Sequence, residues 1–167
     1  QSMKKASKAF IFDFDQTLAV TDCMVYVMKE GKKLRQKKLS TAEFNTYKLA
    51  YDESFDFREF RSDKFITNAN PTKLMELAKQ VYDEGHSVYV LTARDDDVST
   101  AIASWMIGNG VKPIRVFCVG GRRDRIAKEK AKVLETLKQI FDVVYFYDDC
   151  QDNIDMAQKV GVKCYLV

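Results

Sequence analysis

Short apolar runs alternate with amphipathic stripes along most of this chain, and that alternation limits the folds open to it more than any other feature. Asn70 and Pro71 open a helix that Leu74, Leu77, Ala78 and Val81 stripe and Gly85 closes, and a strand follows at Ser87 to Leu91. A helix from about Val98 carries Ile102, Trp105 and Met106, ends near Gly108 to Gly110, and leads to a strand at Ile114 to Val119. A helix over roughly 125–140, a strand at Val143 to Tyr147, a short helix from Asp152 to Gly161 and a strand at Val162 to Val167 complete the series. With a first strand near Ala9 to Phe14, this order predicts an α/β fold: a three-layer, Rossmann-like parallel sheet of about five strands covered on both faces.

The 167 residues are enough for one domain, 1–167, with a full core. The stretch from about 20 to 68 breaks the rhythm. Val25 to Met28 and Leu34 to Leu39 read as a hairpin turned at Gly31. Ser40 and Glu43 form a capping box before Phe44, Tyr47 and Tyr51, which share a helical face. Residues 52–70 read as irregular, with Phe55, Phe57, Phe60 and Phe65 anchoring them to the core. Such an insert is a small flap or lid, too short for a large cap.

Composition excludes several classes. No apolar stretch approaches the roughly 20 residues of a membrane span, and Q-S-M-K-K-A-S-K leads into no secretory h-region. Cys23, Cys118, Cys150 and Cys164 are scattered and His86 is the one histidine, so a structural zinc site is excluded. Cys118 and Cys164 read as small core residues, and a reduced cytoplasm is the expected compartment. The net charge of +3 hides two basic clusters, Lys29 to Lys38 and Arg122 to Lys132, which are either solvated faces or a surface that receives phosphates.

Three apolar runs end in reactive groups. F-I-F-D-F-D-Q-T-L carries Asp13, Asp15 and Thr17; V-Y-V-L-T-A-R carries Thr92 and Arg94; V-V-Y-F-Y-D-D carries Asp148 and Asp149. Ligands of open parallel sheets bind beyond the carboxyl ends of the strands, so these endings are expected to converge. Alternate residues of an extended chain point the same way, which makes Asp13 and Asp15 one anionic cup. A solvated acidic turn or a helix cap would account for that pair alone, and Asp95 to Asp97 read as structural, their charge complementing the dipole of the helix they precede. Carboxylates facing a phosphate repel it by about 1 kcal/mol each in water and about 4 kcal/mol in a partly buried cleft, a penalty a divalent cation removes. With oxygen donors only, Mg2+ is the expected ion. One aspartate can then attack phosphorus and its neighbour can serve as acid and base, roles that suit Asp13 and Asp15, while Thr92 and a lysine stabilise the phosphoryl oxygens.

D-F-D-Q-T resembles the first motif of the haloacid dehalogenase-like (HAD) phosphohydrolase superfamily, D-x-D-x-T. L-T-A-R resembles its second motif and Y-D-D its fourth, and the resemblance runs from Phe10 to Val167. It implies Asp13 as nucleophile and metal ligand, Asp15 as acid/base and metal ligand through its main-chain carbonyl, and Asp149 as the carboxylate ligand, with Asp148 tying the lysine. For that lysine Lys128, Lys130 and Lys132 compete; K-A-K-V-L favours Lys130. Asp15 separates phosphatases from dehalogenases and transport ATPases within the superfamily.

The final run, from F-D-V-V-Y-F to V-K-C-Y-L-V, is similar to the end of the 3′-phosphatase domain of phage-type polynucleotide kinases, and Arg94 matches the arginine after that domain's second motif. Thr17 and Arg94 are accordingly expected to bind substrate. No G-x-x-x-x-G-K-[ST] is present in these residues, so no kinase half is expected among them. The resemblance implies a phosphomonoesterase for nucleotide or polynucleotide 3′-end phosphates, with no membrane and no obligate protein partner. The alternatives are a phosphatase of sugar phosphates or phosphoproteins, or a binding module without turnover.

Overall fold

The computed structural model describes residues 6–167; most of the N-terminal segment read above for a leader lies outside the described residues. In chain order the elements are β1 (Lys8–Phe12), β2 (Ala19–Val20), β3 (Val25–Lys29), β4 (Arg35–Leu39), α1 (Thr41–Thr46), β5 (Glu53–Asp56), α2 (Asp63–Thr67), β6 (Asn70–Pro71), α3 (Leu74–Asp83) and β7 (Ser87–Thr92). They continue with α4 (Ser99–Gly108), β8 (Arg115–Cys118), α5 (Ile126–Ile140), β9 (Val143–Asp148), α6 (Gln151–Lys159) and β10 (Lys163–Leu166). Single 3-10 turns occupy Arg58–Arg61 and Asp96–Val98. No described helix is long and apolar enough to cross a membrane.

The main sheet has the order β10-β9-β1-β7-β8, and every pairing in it is parallel. β1 lies at its centre, so both faces of the strand are buried and its sequence is apolar without alternation. Phe10 and Phe12 face α3 and α4, where Ala78, Val81, Ile102, Trp105 and Met106 close the first core. Ala9 and Ile11 face α5 and α6, where Leu134, Leu137, Ile154 and Ala157 close the second. Each fully buried Phe, Ile or Leu contributes about 1.5–3 kcal/mol by leaving water.

β1 stops at Phe12, two residues earlier than expected, because the chain turns at once. The Phe14 carbonyl accepts N–H bonds from Thr17, Leu18 and Ala19, and Gln16 sits at φ 60°. Asn70 and Pro71 do not open a helix. They form β6 and pair antiparallel with β2, the Thr72 hydroxyl donating to the Thr17 carbonyl at 2.6 Å, and α3 begins at Leu74. Proline is tolerated there because the two-residue ladder is an edge.

The insert between β2 and β6 is more ordered than its sequence implied. β4, β3 and β5 form an antiparallel sheet, and the two turns of 3-10 and α-helix at residues 58–67 occupy the stretch expected to be irregular. Phe44, Tyr47, Phe55, Phe57 and Phe60 do not anchor to the main core; they pack on Val25, Val27 and Leu39 as a small core of the lid's own. Ile66, rather than Phe65, reaches the main core. Tyr51 lies beyond α1 and is fully exposed, because Tyr47 ends the helix in an extended conformation and the Glu53 carboxylate gathers the Tyr47 hydroxyl and the Ala50 N–H. Cys118 and Cys164 are partly exposed, and Cys23 is the buried thiol.

Candidate active site

β1, β7 and β9 end side by side, so their last residues meet at one rim of the sheet. The Asp13 N–H bonds the Tyr147 carbonyl at 2.9 Å, extending the ladder by one rung and fixing Asp13 beside Asp148. Asp13, Asp148 and Asp149 each offer a carboxylate oxygen, and these atoms lie within 4.8 Å of one another. The Thr17 hydroxyl lies between them, 3.2 Å from Asp13 Oδ2 and 3.4 Å from Asp149 Oδ1.

Lys130 is the cation of this cluster. It projects from the second turn of α5 with its side chain 2% exposed, and its ammonium donates to Asp13 Oδ1 at 3.0 Å and Asp148 Oδ2 at 2.8 Å. Lys128 is exposed and Lys132 pairs with Glu129, so of the three competing lysines only Lys130 reaches the strand ends. Asp148 is held on every side. Its Oδ2 also accepts from the Asn153 amide at 3.0 Å and its Oδ1 from the Cys150 N–H at 2.9 Å. Asn153 was missed in the sequence; an amide in the helical turn after Y-D-D was its only signal.

Burial, then the neighbouring charges of Asp148 and Asp149, holds the Asp13 carboxyl well above the usual range despite Lys130. Burial and Asp148 raise Asp149 as well. Lys130 is pushed up rather than down, because Asp13 and Asp148 together outweigh its desolvation. With all three carboxylates ionised, one ammonium would leave two negative charges uncompensated, the charge of one divalent cation. The donors are hard oxygens throughout, with no thiolate or imidazole among them, which fits Mg2+.

Asp15 does not share this cup. The turn at Gln16 sends its carboxylate to the opposite wall, where Arg94 grips it with Nη2 to Oδ1 at 2.6 Å and Nε to Oδ2 at 2.9 Å. The Thr21 hydroxyl donates to the same Oδ1 at 2.6 Å. The rule that residues i and i+2 align holds for strands, and the strand has already ended. Arg94 is itself enclosed, its side chain 1% exposed, with Nη1 donating to the Phe60 carbonyl of the lid at 2.7 Å and Nη2 lying 3.3 Å from Cys23 Sγ. Burial works against its charge, and the Asp15 carboxylate more than restores it. Thr92 is buried at the end of β7, where its hydroxyl oxygen accepts the Arg94 N–H at 3.2 Å; among the described residues its O–H donates to no partner.

Glu59, which sequence reasoning did not single out, suspends the lid here. Its buried carboxylate takes the Met24 N–H at 3.0 Å and the Tyr26 hydroxyl, and its carbonyl lies 3.7 Å from the Cys23 thiol. An acid inside F-D-F-R-E-F was its signal. His86 lies just before β7, at the far end of the sheet, and packs against Phe10.

No family model and no curated protein matches the sequence. Solved structures match the fold at low identity. One chain of a Pnkp1/Rnl/Hen1 RNA repair complex superposes with a TM-score of 0.59 at 14% identity, over 97% of this chain and 42% of that one. A hydrolase from Streptococcus pneumoniae TIGR4 gives a TM-score of 0.56 at 12% identity, over 98% and 94% of the two chains. A HAD-superfamily hydrolase of subfamily IA, variant 1, from Geobacter sulfurreducens PCA gives 0.53 at 13% identity, over 96% and 89%. The fold is therefore that of the haloacid dehalogenase-like hydrolases, with small antiparallel inserts and, among the described residues, no large cap. The chain spans less than half the length of the RNA-repair chains it resembles.

Proposed function

We propose that the protein is a Mg2+-dependent phosphomonoesterase that works through an aspartyl-phosphate on Asp13 and takes its phosphate from a nucleotide or a polynucleotide 3′ end. The observation that carries this reading is the cluster of Asp13, Asp148 and Asp149 around a single buried lysine, which leaves the charge of one divalent ion to be supplied. Asp13, Asp149 and the main-chain carbonyl of Asp15 would hold Mg2+, whose charge would screen the incoming phosphate from the carboxylates.

The remaining work falls to the chain's own groups. An Asp13 carboxylate oxygen attacks phosphorus and the bond to the leaving alcohol breaks, with Asp15 delivering the proton that alcohol needs. Asp15, now ionised, takes a proton from the water that attacks the same phosphorus; the bond between Asp13 and phosphorus breaks and inorganic phosphate leaves. Lys130 and the Thr92 hydroxyl donate to the phosphoryl oxygens as charge develops, and Thr17 fixes the Asp13 carboxylate. Arg94 and Thr21 aim Asp15 across the cleft, a positioning role that suits a buried arginine with its fork already engaged. The likeness to a chain of an RNA repair complex supports a nucleic-acid end as the carrier, and so does the small lid.

Purified protein with Mg2+ should hydrolyse p-nitrophenyl phosphate, and Asp13→Asn should abolish turnover. A panel of 3′-phosphorylated oligonucleotides, nucleotides and sugar phosphates should place the oligonucleotides first. Failure to hydrolyse any phosphomonoester in the presence of Mg2+ would sink the assignment.

A further inference from the structure

Two basic segments that are far apart in sequence meet in the fold. The loop before α5 sends Arg123 to the lid, where its Nη1 donates to the Phe44 carbonyl at 2.7 Å and the Tyr47 carbonyl at 2.6 Å. The same guanidinium lies 5.4 Å from the Phe44 ring centroid and 5.2 Å from that of Phe55. Lys37 on β4 places its ammonium 5.1 Å from the centroid of the Tyr47 ring, so Arg123 and Lys37 converge on one tyrosine. Lys48 follows that tyrosine, and Arg125 and Lys128 follow Arg123 into α5.

Charge on this seam is only partly cancelled. Asp124 pairs with Arg122 and Glu129 with Lys132, Glu43 and Glu53 of the lid accept hydrogen bonds from Ser40, Tyr47 and Ala50, and no ion pair forms among the described residues at Lys37, Lys48, Arg125 or Lys128. Arg123 donates through Nη1 to two neutral carbonyls, which leave its charge in place. By contrast, Lys79 on the remote helix α3 is paired with Asp83 at 2.9 Å. Arg125 stands five residues before Lys130, about 7.5 Å along the α5 axis. The seam thus starts within about a turn and a half of the lysine that touches Asp13 and Asp148.

We infer that this seam between the lid and α5 is the landing surface for the phosphodiester backbone of a single nucleic-acid strand whose terminal phosphate reaches Asp13. The inference rests on the phosphatase reading for what lies at the end of the seam. A centre with excess negative charge repels a polyanion, and an adjoining run of cations that outnumber their acids and alternate with aromatic rings is what offsets that repulsion and follows a flexible backbone. The anion that extends from a phosphomonoester end with regularly repeated charge is a phosphodiester strand.

The test is fluorescence anisotropy of a labelled single-stranded oligonucleotide with a 3′-hydroxyl end, titrated with the full chain carrying Asp13→Asn at several salt concentrations. Such a probe reads the seam without the chemistry. Adding Lys37→Gln, Arg125→Gln and Lys128→Gln together should weaken binding at least tenfold and reduce the salt slope by about 2, three contacts at about 0.7 each. Lys79→Gln should change neither, and matching thermal melts would show that the triple variant folds. Equal affinity for the triple variant and its parent, an unchanged salt slope, or tighter binding to phosphatidylserine vesicles through the same three residues would overturn the inference. Oligonucleotide binding that depends on the three cations, in a protein that hydrolyses no phosphomonoester, would sink the phosphatase reading and leave the surface standing.

Discussion

Asp13 and Asp15 are two residues apart, yet they belong to differently built regions. Asp13 is part of a floor made from adjoining strand ends and one long helix: β1 and β9 bring it to Asp148 and α5 delivers Lys130, all of them buried. Asp15 belongs to a wall completed by the lid, where Arg94 spans from its carboxylate to the Phe60 carbonyl and Thr21 closes the other side. The floor depends on the main core of the protein. The wall depends on a small insert whose own core is three buried aliphatic residues and a set of half-buried rings. Substitutions in the floor should therefore disturb stability and chemistry together, and substitutions in the wall should disturb chemistry with less effect on folding.

The largest expected effect is Lys130→Met. It leaves Asp13 and Asp148 buried without their cation, which costs about 3–5 kcal/mol in a denaturant titration, and turnover should fall at least about 10³-fold. The folded protein raises the Lys130 pKa above its unfolded value of about 10.4, so its contribution is fully present below that pH and fades only in stronger base. A variant with an unchanged denaturation midpoint would show that the floor is not held this way.

Arg94→Lys tests the wall. It keeps a positive charge but loses the two-pronged grip on Asp15. kcat should drop about 10²-fold, the lower range for a displaced acid/base group, with KM for a small phosphate ester little changed. A purely structural arginine would lower the denaturation midpoint and leave kcat of the folded protein unchanged.

How much of each region was legible follows the same division. In the floor, the strand endings Asp13, Thr92, Asp148 and Asp149 could be placed from the apolar runs that precede them, since parallel strands deliver their carboxyl ends to one rim. Lys130 was separable from Lys128 and Lys132 only through family spacing. The wall was less legible because its contacts follow no period. Gln16 at positive φ redirects Asp15, Glu59 finds Met24 and Tyr26 across the insert, and Arg123 caps α1 from a distant loop. Phe55, Phe57 and Phe60 were recognisable as anchors, but nothing in their sequence says which core they join.

Metal exchange gives a smaller effect on the floor. Asp13 and Asp149 both have pKa values raised above the unfolded carboxyl value, so as pH climbs from about 3.9 through their folded values the native state is progressively penalised. Mg2+ should therefore raise Tm, and more at neutral than at acid pH. Asp149→Asn should remove most of that Mg2+ response while raising Tm in EDTA by about 2–4 °C, the shift expected from relieving about 1 kcal/mol of repulsion in a chain of this length. A Tm in EDTA that falls instead would mean Asp149 is needed as an acceptor for Thr17 more than it is repelled by its neighbours.

Arg123→Ala should have the smallest effect, and a local one. Its guanidinium caps the last carbonyls of α1 and covers two rings of the lid core, but it is exposed and touches none of the residues of the main sheet's two cores. Loss of two hydrogen bonds and the ring contact should free the lid by about 1–2 kcal/mol, which is about 5- to 30-fold in its opening equilibrium. Hydrogen exchange should then quicken by that factor in α1, β3 and β5 and remain unchanged in β1, β7 and β9. If exchange rises uniformly across the molecule, lid and floor open as one unit, and the separation of the two regions fails.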